Sequence, residues 1–147
     1  MKRDYGVFRV GLKIVLHKGD KILFLRDNNE SKTWDWPGGR IDNVEYRTPL
    51  EKIIAREVRE ELGSAVKYFL GKPIFALRRW TIRDGKKICI FCVFYEAEFI
   101  SGRIKLSSEH SSYEWIDPKK FRMRRADFGH GDEISGIKKY FAQKYHA

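Results

Sequence analysis

Cysteine is scarce in this chain, with Cys89 and Cys92 as its only two. A lone Cys89-Ile90-Phe91-Cys92 has no second pair with which to complete a four-ligand zinc site. The pair sits in a run of strand formers, where residues three apart point to opposite faces, and a redox pair normally opens a helix. Buried thiols in a reducing compartment are the reading that remains. No apolar run approaches the ~18 residues of a membrane helix, and no leader segment is visible. A cytoplasmic protein without a membrane partner is expected. Repeats, low-complexity tracts and linkers are also absent, so residues 1–147 read as one domain. Acidic residues are the minority, 20 against 30 basic ones, which leaves a net charge of +10. That excess points to polyanionic partners such as phosphates or RNA, although a basic balance also serves solubility. With 42% hydrophobic and 14% aromatic residues, disorder is excluded.

From the N-terminus the pattern is extended. Tyr5 to His17 contains the run Val10 to Leu16, Lys18-Gly19-Asp20 forms a turn, and Lys21 to Arg26 returns, so a hairpin is expected. A polar loop, residues 27–31, leads to Trp34 and Trp36, whose indoles suit either core packing or ligand stacking. Farther on, Val66 to Leu70 and Pro73 to Thr81 read as extended. Arg83-Asp84-Gly85-Lys86 reads as a turn and Ile88 to Ile100 as a long strand. Arg78, Arg79 and Arg83 could contact phosphate and Trp80 could stack on a base, or these residues could make a solvated strand face with Trp80 packed. The spacing of Ile134, Ile137, Phe141 and Tyr145 predicts a C-terminal helix packed on the core.

Between these strand regions lies the best-defined helix. Thr48 is a suitable N-cap, Pro49 suits the first turn, Glu51 completes a capping box, and Gly63 marks the end. Leu50, Ile53 and Ile54 make an apolar stripe that Glu57, Glu60 and Glu61 extend within roughly 100° of arc. Like charges at these spacings cost a helix about 0.2–0.5 kcal/mol per pair. A hard divalent cation, Mg²⁺ or Mn²⁺, would remove that cost. A solvated acidic face is the alternative, but Lys52, Arg56 and Arg59 gather on the other side, so the signs are segregated.

Trp36-Pro37-Gly38-Gly39, Glu45 and Arg56-Glu57-Val58-Arg59-Glu60-Glu61-Leu62-Gly63 resemble the Nudix box, Gly-x5-Glu-x7-Arg-Glu-U-x-Glu-Glu-x-Gly-U with U aliphatic. Two departures stand out. Ten residues, Tyr46 to Ala55, separate Glu45 from Arg56, three more than the pattern has. Ser64 replaces the last aliphatic residue. A second likeness is Glu109, six residues ahead of Trp115. His110 beside it reads as a surface residue, and Arg122 to Arg125 with Arg103 and Lys105 as a basic rim.

The resemblance implies an α/β fold, the Nudix α/β/α sandwich with a curved mixed β-sheet between helices. It also implies an Mg²⁺-dependent hydrolase that cleaves a diphosphate linkage in a nucleoside diphosphate joined to another moiety. By that likeness Glu60 and Glu61 are metal ligands, Glu57 is a ligand or the general base, and Glu109 is a further ligand or the competing base. The carbonyl of Gly39 is a further ligand, and Arg56 holds a carboxylate, Glu45 or a neighbour, in place. A catalytically silent module that senses nucleotides or binds RNA is the alternative reading, and either a monomer or a homodimer is compatible with the sequence.

Overall fold

The expected N-terminal hairpin forms and becomes the centre of the sheet. Strand β1 (Arg9–Lys18) turns at Gly19 into β2 (Lys21–Asp27), and the two pair only beside the turn, His17 with Ile22 and Lys18 with Lys21. Beyond that point they part. The freed edge of β1 is taken by β4 (Gly38–Arg40), with Leu12 opposite Gly39, while β2 pairs with β3 (Trp34–Asp35) and with β7 (His110–Ile116). The other edge of β1 runs parallel to β6 (Lys86–Ser101), which returns antiparallel from β5 (Lys67–Arg83). The result is a mixed seven-stranded sheet with a seam where β1 and β2 separate. This computed structural model describes residues 1–30, 32–129 and 131–146; Ser31, at the end of the expected polar loop, lies outside them.

Alternation along β1 feeds two cores. Leu12, Ile14 and Leu16 face helix α1 (Leu50–Leu62) and pack with Ile53, Ile54, Val58 and Leu62. Val15 faces the other layer, where Phe24, Trp34, Trp36 and Phe94 meet Ile137 and Phe141 of helix α2 (Glu133–Tyr145). Both tryptophans are therefore core residues. Each buried aliphatic chain on α1 contributes about 1.5–3 kcal/mol, which outweighs the repulsion among its glutamates. Among the described residues no helix is long and apolar enough to cross a membrane.

The start of α1 differs from expectation. Thr48 does not cap it, because its N–H is donated to the carbonyl of Glu45 (2.9 Å) and the chain is still turning there. Pro49 occupies the cap position, and its carbonyl accepts from Lys52 (3.0 Å) and Ile53 (3.2 Å). A capping box does form, one turn earlier: Asp42 accepts from Val44 N–H (3.1 Å) and Glu45 from Asp42 N–H (3.0 Å) at a short 3-10 turn, Asn43–Glu45. Leu50 is 43% exposed, so the buried stripe begins at Ile53. The end is as expected: Gly63 donates to Arg59 (3.1 Å) and stops the helix.

Candidate active site

A cavity of about 370 Å³ opens at the seam, lined from α1 by Glu57 and Glu61 and from the loop before β7 by Glu109. Its floor is the β1–β4 ladder. Gly38 has φ 130°, and a Cβ there would meet the carbonyl of Leu12 and the Cα of Lys13. At Gly39 a Cβ would run into the carboxylate of Glu57. Two glycines therefore let the helix carboxylate lie against strand backbone.

Arg56 organises one side. Its Nε and Nη2 donate to both oxygens of Glu45, each at 2.7 Å, so the longer spacing between them still closes. Its Nη1 donates to Glu57 (2.8 Å) and Glu60 (3.1 Å). Such paired, charge-assisted bonds fix orientation as well as charge, and they raise the guanidinium pKa. The three helix glutamates then diverge. Glu60 has its side chain 56% exposed beside Arg56 and does not line the cavity. Glu57 is half-buried, and burial pushes its carboxyl above the ordinary range against the opposing pull of Arg56. Glu61 is 4% exposed, and its Oε2 has no hydrogen-bond partner among the described residues. Burial, opposed by Lys13 and reinforced by Asp35, raises Glu61 to about 8.

The loop carrying Glu109 is tied to the end of α1. Lys105 N–H donates to Leu62 (2.8 Å) and Ser107 N–H to Glu61 (3.3 Å), while the carbonyl of Glu109 accepts from Asn28 N–H (2.9 Å). His110 corrects the sequence reading. It is not on the surface but buried at the start of β7, opposite Asp27, with its side chain 3% exposed. Its Nε2 lies 3.3 Å from Asp27 and 3.8 Å from Asp35, and its Nδ1 lies 3.9 Å from Glu61. Burial alone would lower its pKa, but the bonds to Asp27 and Asp35 override this and raise it to about 9.

Two more residues escaped the sequence reading, Lys13 and Asp35, and they meet Arg79, one of the three arginines read as candidate phosphate contacts. Lys13 crosses the seam, donating to the carbonyls of Trp36 (3.1 Å) and Gly38 (3.0 Å) and pairing with Asp35 at 3.2 Å. Arg79 pairs with Asp35 (3.1 Å) and with Glu133 of α2 (2.7 Å). Burial disfavours the charge of Asp35, but Lys13 and Arg79 outweigh it and hold the carboxyl well below its usual range. A lysine inside the apolar run of β1 was the available signal for Lys13. Arg78 and Trp80 flank Arg79 but do not line the cavity. Arg78 is held by Asp132 at 2.7 Å, and Trp80, 40% exposed, borders a smaller cleft beside Arg79.

Two acidic groups could hold a cation. The ligand atoms of Asp27, Asp35 and His110 lie within 4.8 Å of one another. Asp35 is already matched there by Lys13 and Arg79, so that group is internally compensated. Glu57 and Glu61 differ: they offer hard oxygens beside the Gly39 backbone, and the buried Oε2 of Glu61 lacks a hydrogen-bond partner among the described residues. The donor set fits Mg²⁺ or Mn²⁺.

Comparison with known proteins agrees with this architecture. Residues 7–135 match the family model described as NUDIX domain. Nucleoside triphosphatase NudI of Escherichia coli is 29% identical over 91 residues, 58% of this chain and 62% of that protein, and the Shigella flexneri protein of that name matches equally. The match thus spans less than two thirds of the length of these curated relatives. Among solved structures, the MutT protein of Methanosarcina mazei Go1 is 20% identical with a TM-score of 0.68, covering 92% of this chain and 91% of that one. A C. elegans Ap4A hydrolase is 18% identical with a TM-score of 0.63, covering 97% and 100%. At these identities the structures establish the fold alone. The family match spans most of the chain, and Gly38, Gly39, Glu57 and Glu61 of the box line one cavity: this protein belongs to the Nudix family.

Proposed function

We propose that the chain is a single Nudix domain that hydrolyses a diphosphate linkage in a nucleoside diphosphate joined to another moiety, with Mg²⁺ as cofactor and Mn²⁺ as a substitute. The observation that carries this reading is the convergence of Glu57, the unpartnered buried Glu61 and Glu109 on one cavity beside Gly39. The name of the curated relatives, nucleoside triphosphatase, supports a nucleotide substrate.

In this reading Glu57 and Glu61, with the Gly39 carbonyl and Glu109, would hold the cation. When bound, it supplies a Lewis acid for the phosphoryl oxygens and favours a deprotonated water. Glu57 is the base we assign first, because burial keeps its proton affinity up while Arg56 fixes its carboxylate; Glu109 competes from its exposed loop. Arg56 is a positioning residue that holds Glu57 and Glu45 in one arrangement. Glu60 neutralises the remaining face of Arg56 and completes the ligand set if it turns inward. Lys13 and Arg79 stand behind the carboxylates, where Asp35 and Glu133 match their charge. Trp80 leaves an indole open to a base.

The test is turnover of nucleoside triphosphates, dinucleoside polyphosphates, nucleotide sugars and ADP-ribose with Mg²⁺, read by mass spectrometry. At least one should be cleaved at a diphosphate linkage, with a loss of about 100-fold or more in Glu57→Gln and in Glu61→Gln. Wild-type rates in Glu61→Gln would overturn the assignment. Binding without turnover across the panel would instead favour a nucleotide-sensing module.

A further inference from the structure

Five arginines, Arg26, Arg56, Arg78, Arg79 and Arg124, each have a carboxylate within 4 Å. Among the described residues the other nine have none, and three of these, Arg9, Arg40 and Arg83, lie close to the cavity. The ladders put these three on one face. Arg9 pairs with Ile90, and Ile90 with Arg79; Arg83 is four residues from Arg79; Arg40 pairs with Gly11, two residues from Arg9. Cross-strand partners and alternate residues share a face, and here it is the face that carries Lys13. Arg40 lines the carboxylate cavity and also a shallower cleft that it shares with Arg9 and Glu57, so the two spaces join at Arg40. Three unmatched, mutually repelling guanidinium groups at the mouth of an anion-cleaving site are a cost to the free protein that a polyanion would remove.

We infer that Arg9, Arg40 and Arg83 form a subsite for the distal end of a phosphate chain, so that the favoured substrates carry three or more consecutive phosphates. This deepens the proposed function and rests on it for the direction of the chain. A nucleotide sugar has two phosphates, both needed beside the carboxylates, and leaves the arginines unmatched. A triphosphate or longer chain runs past Arg40 and reaches them. Guanidinium forks suit the bidentate recognition of each added phosphoryl group.

Binding tests the subsite without requiring turnover. Calorimetry without divalent metal, at fixed ionic strength, compares inorganic tripolyphosphate with pyrophosphate. Tripolyphosphate should bind the wild type about tenfold tighter or more. Arg9→Gln and Arg83→Gln should each weaken it about fivefold or more, with unchanged melting temperature and partial recovery in Arg83→Lys. Equal binding of the two anions, or variants that bind as the wild type does, would overturn the subsite. Competition then names the source: displacement by a nucleoside tri- or tetraphosphate assigns a free nucleotide, displacement by 5′-triphosphorylated RNA assigns an RNA end, and displacement by neither refutes the inference. A protein that binds tripolyphosphate as expected yet cleaves nothing would sink the hydrolase reading and leave the subsite standing.

Discussion

Glu61 and His110 both hold protons more tightly in the folded chain than in the unfolded one. Burial raises Glu61 to about 8, and Asp27 with Asp35 raises His110 to about 9. The stability each confers is complete below its ordinary pKa and is lost as pH rises through the folded value. Asp35, whose shift is downward, acts only in acid, below this window. The metal-free protein should therefore lose stability between roughly pH 5 and pH 9, by an amount on the order of a few kcal/mol for the buried Glu61. Scanning calorimetry should record a fall of about 5–10 °C in melting temperature. In Glu61→Gln the acid-side part of the slope should vanish; a flat wild-type profile would refute the account. These protonation properties were not legible in the sequence. Glu61 is one of three glutamates at helical spacing, and only the tertiary structure, with Lys13, Asp35 and His110 around its carboxyl, separates it from the exposed Glu60. His110 read as surface because adjacency to Glu109 says nothing of where a strand begins.

At the scale of elements, the site depends on how closely β4 approaches β1 on one side and α1 on the other. The two glycines of β4 should separate in their effects. Gly38→Ala places a methyl against the backbone of Leu12 at a φ of 130° and should destabilise the fold by about 2 kcal/mol or more. Gly39→Ala displaces Glu57 and should cost at least about tenfold in kcat with a melting temperature within a few degrees of wild type. Equal losses of stability would remove the distinction. The helix itself was legible: its apolar stripe, its arginine and glutamate faces and its terminal glycine follow from period and composition. Its first turn was not, since Asp42 and Glu45 set up a capping box that Thr48 and Glu51 imitate in sequence. The hairpin turn at Asp84 and Gly85 was legible because two successive residues at positive φ leave a plain chemical signature.

For the molecule as a whole, the proposed function makes the unpartnered Oε2 of Glu61 a link between folding and the cation. Mg²⁺ at about 100 times its dissociation constant should stabilise the protein by about 2.7 kcal/mol, and a chelator should reverse it. A melting temperature indifferent to both would argue that Glu57 and Glu61 hold no ion. The order of the longer strands and the two helices could be read from the sequence, together with the family likeness, while the short β3 and β4 could not. The seam between β1 and β2 could not, because it arises from which neighbour each strand takes once the hairpin opens. The outermost strand, β5, has a further consequence. A seventeen-residue strand at a sheet edge is a template for the strand of another molecule. Here the ladder breaks register on both sides of Pro73, and farther along Gly131 bridges to Arg79 while Asp132 donates to the carbonyl of Arg78. The edge is therefore interrupted at two places along its backbone, and each interruption disfavours the pairing of a second molecule there.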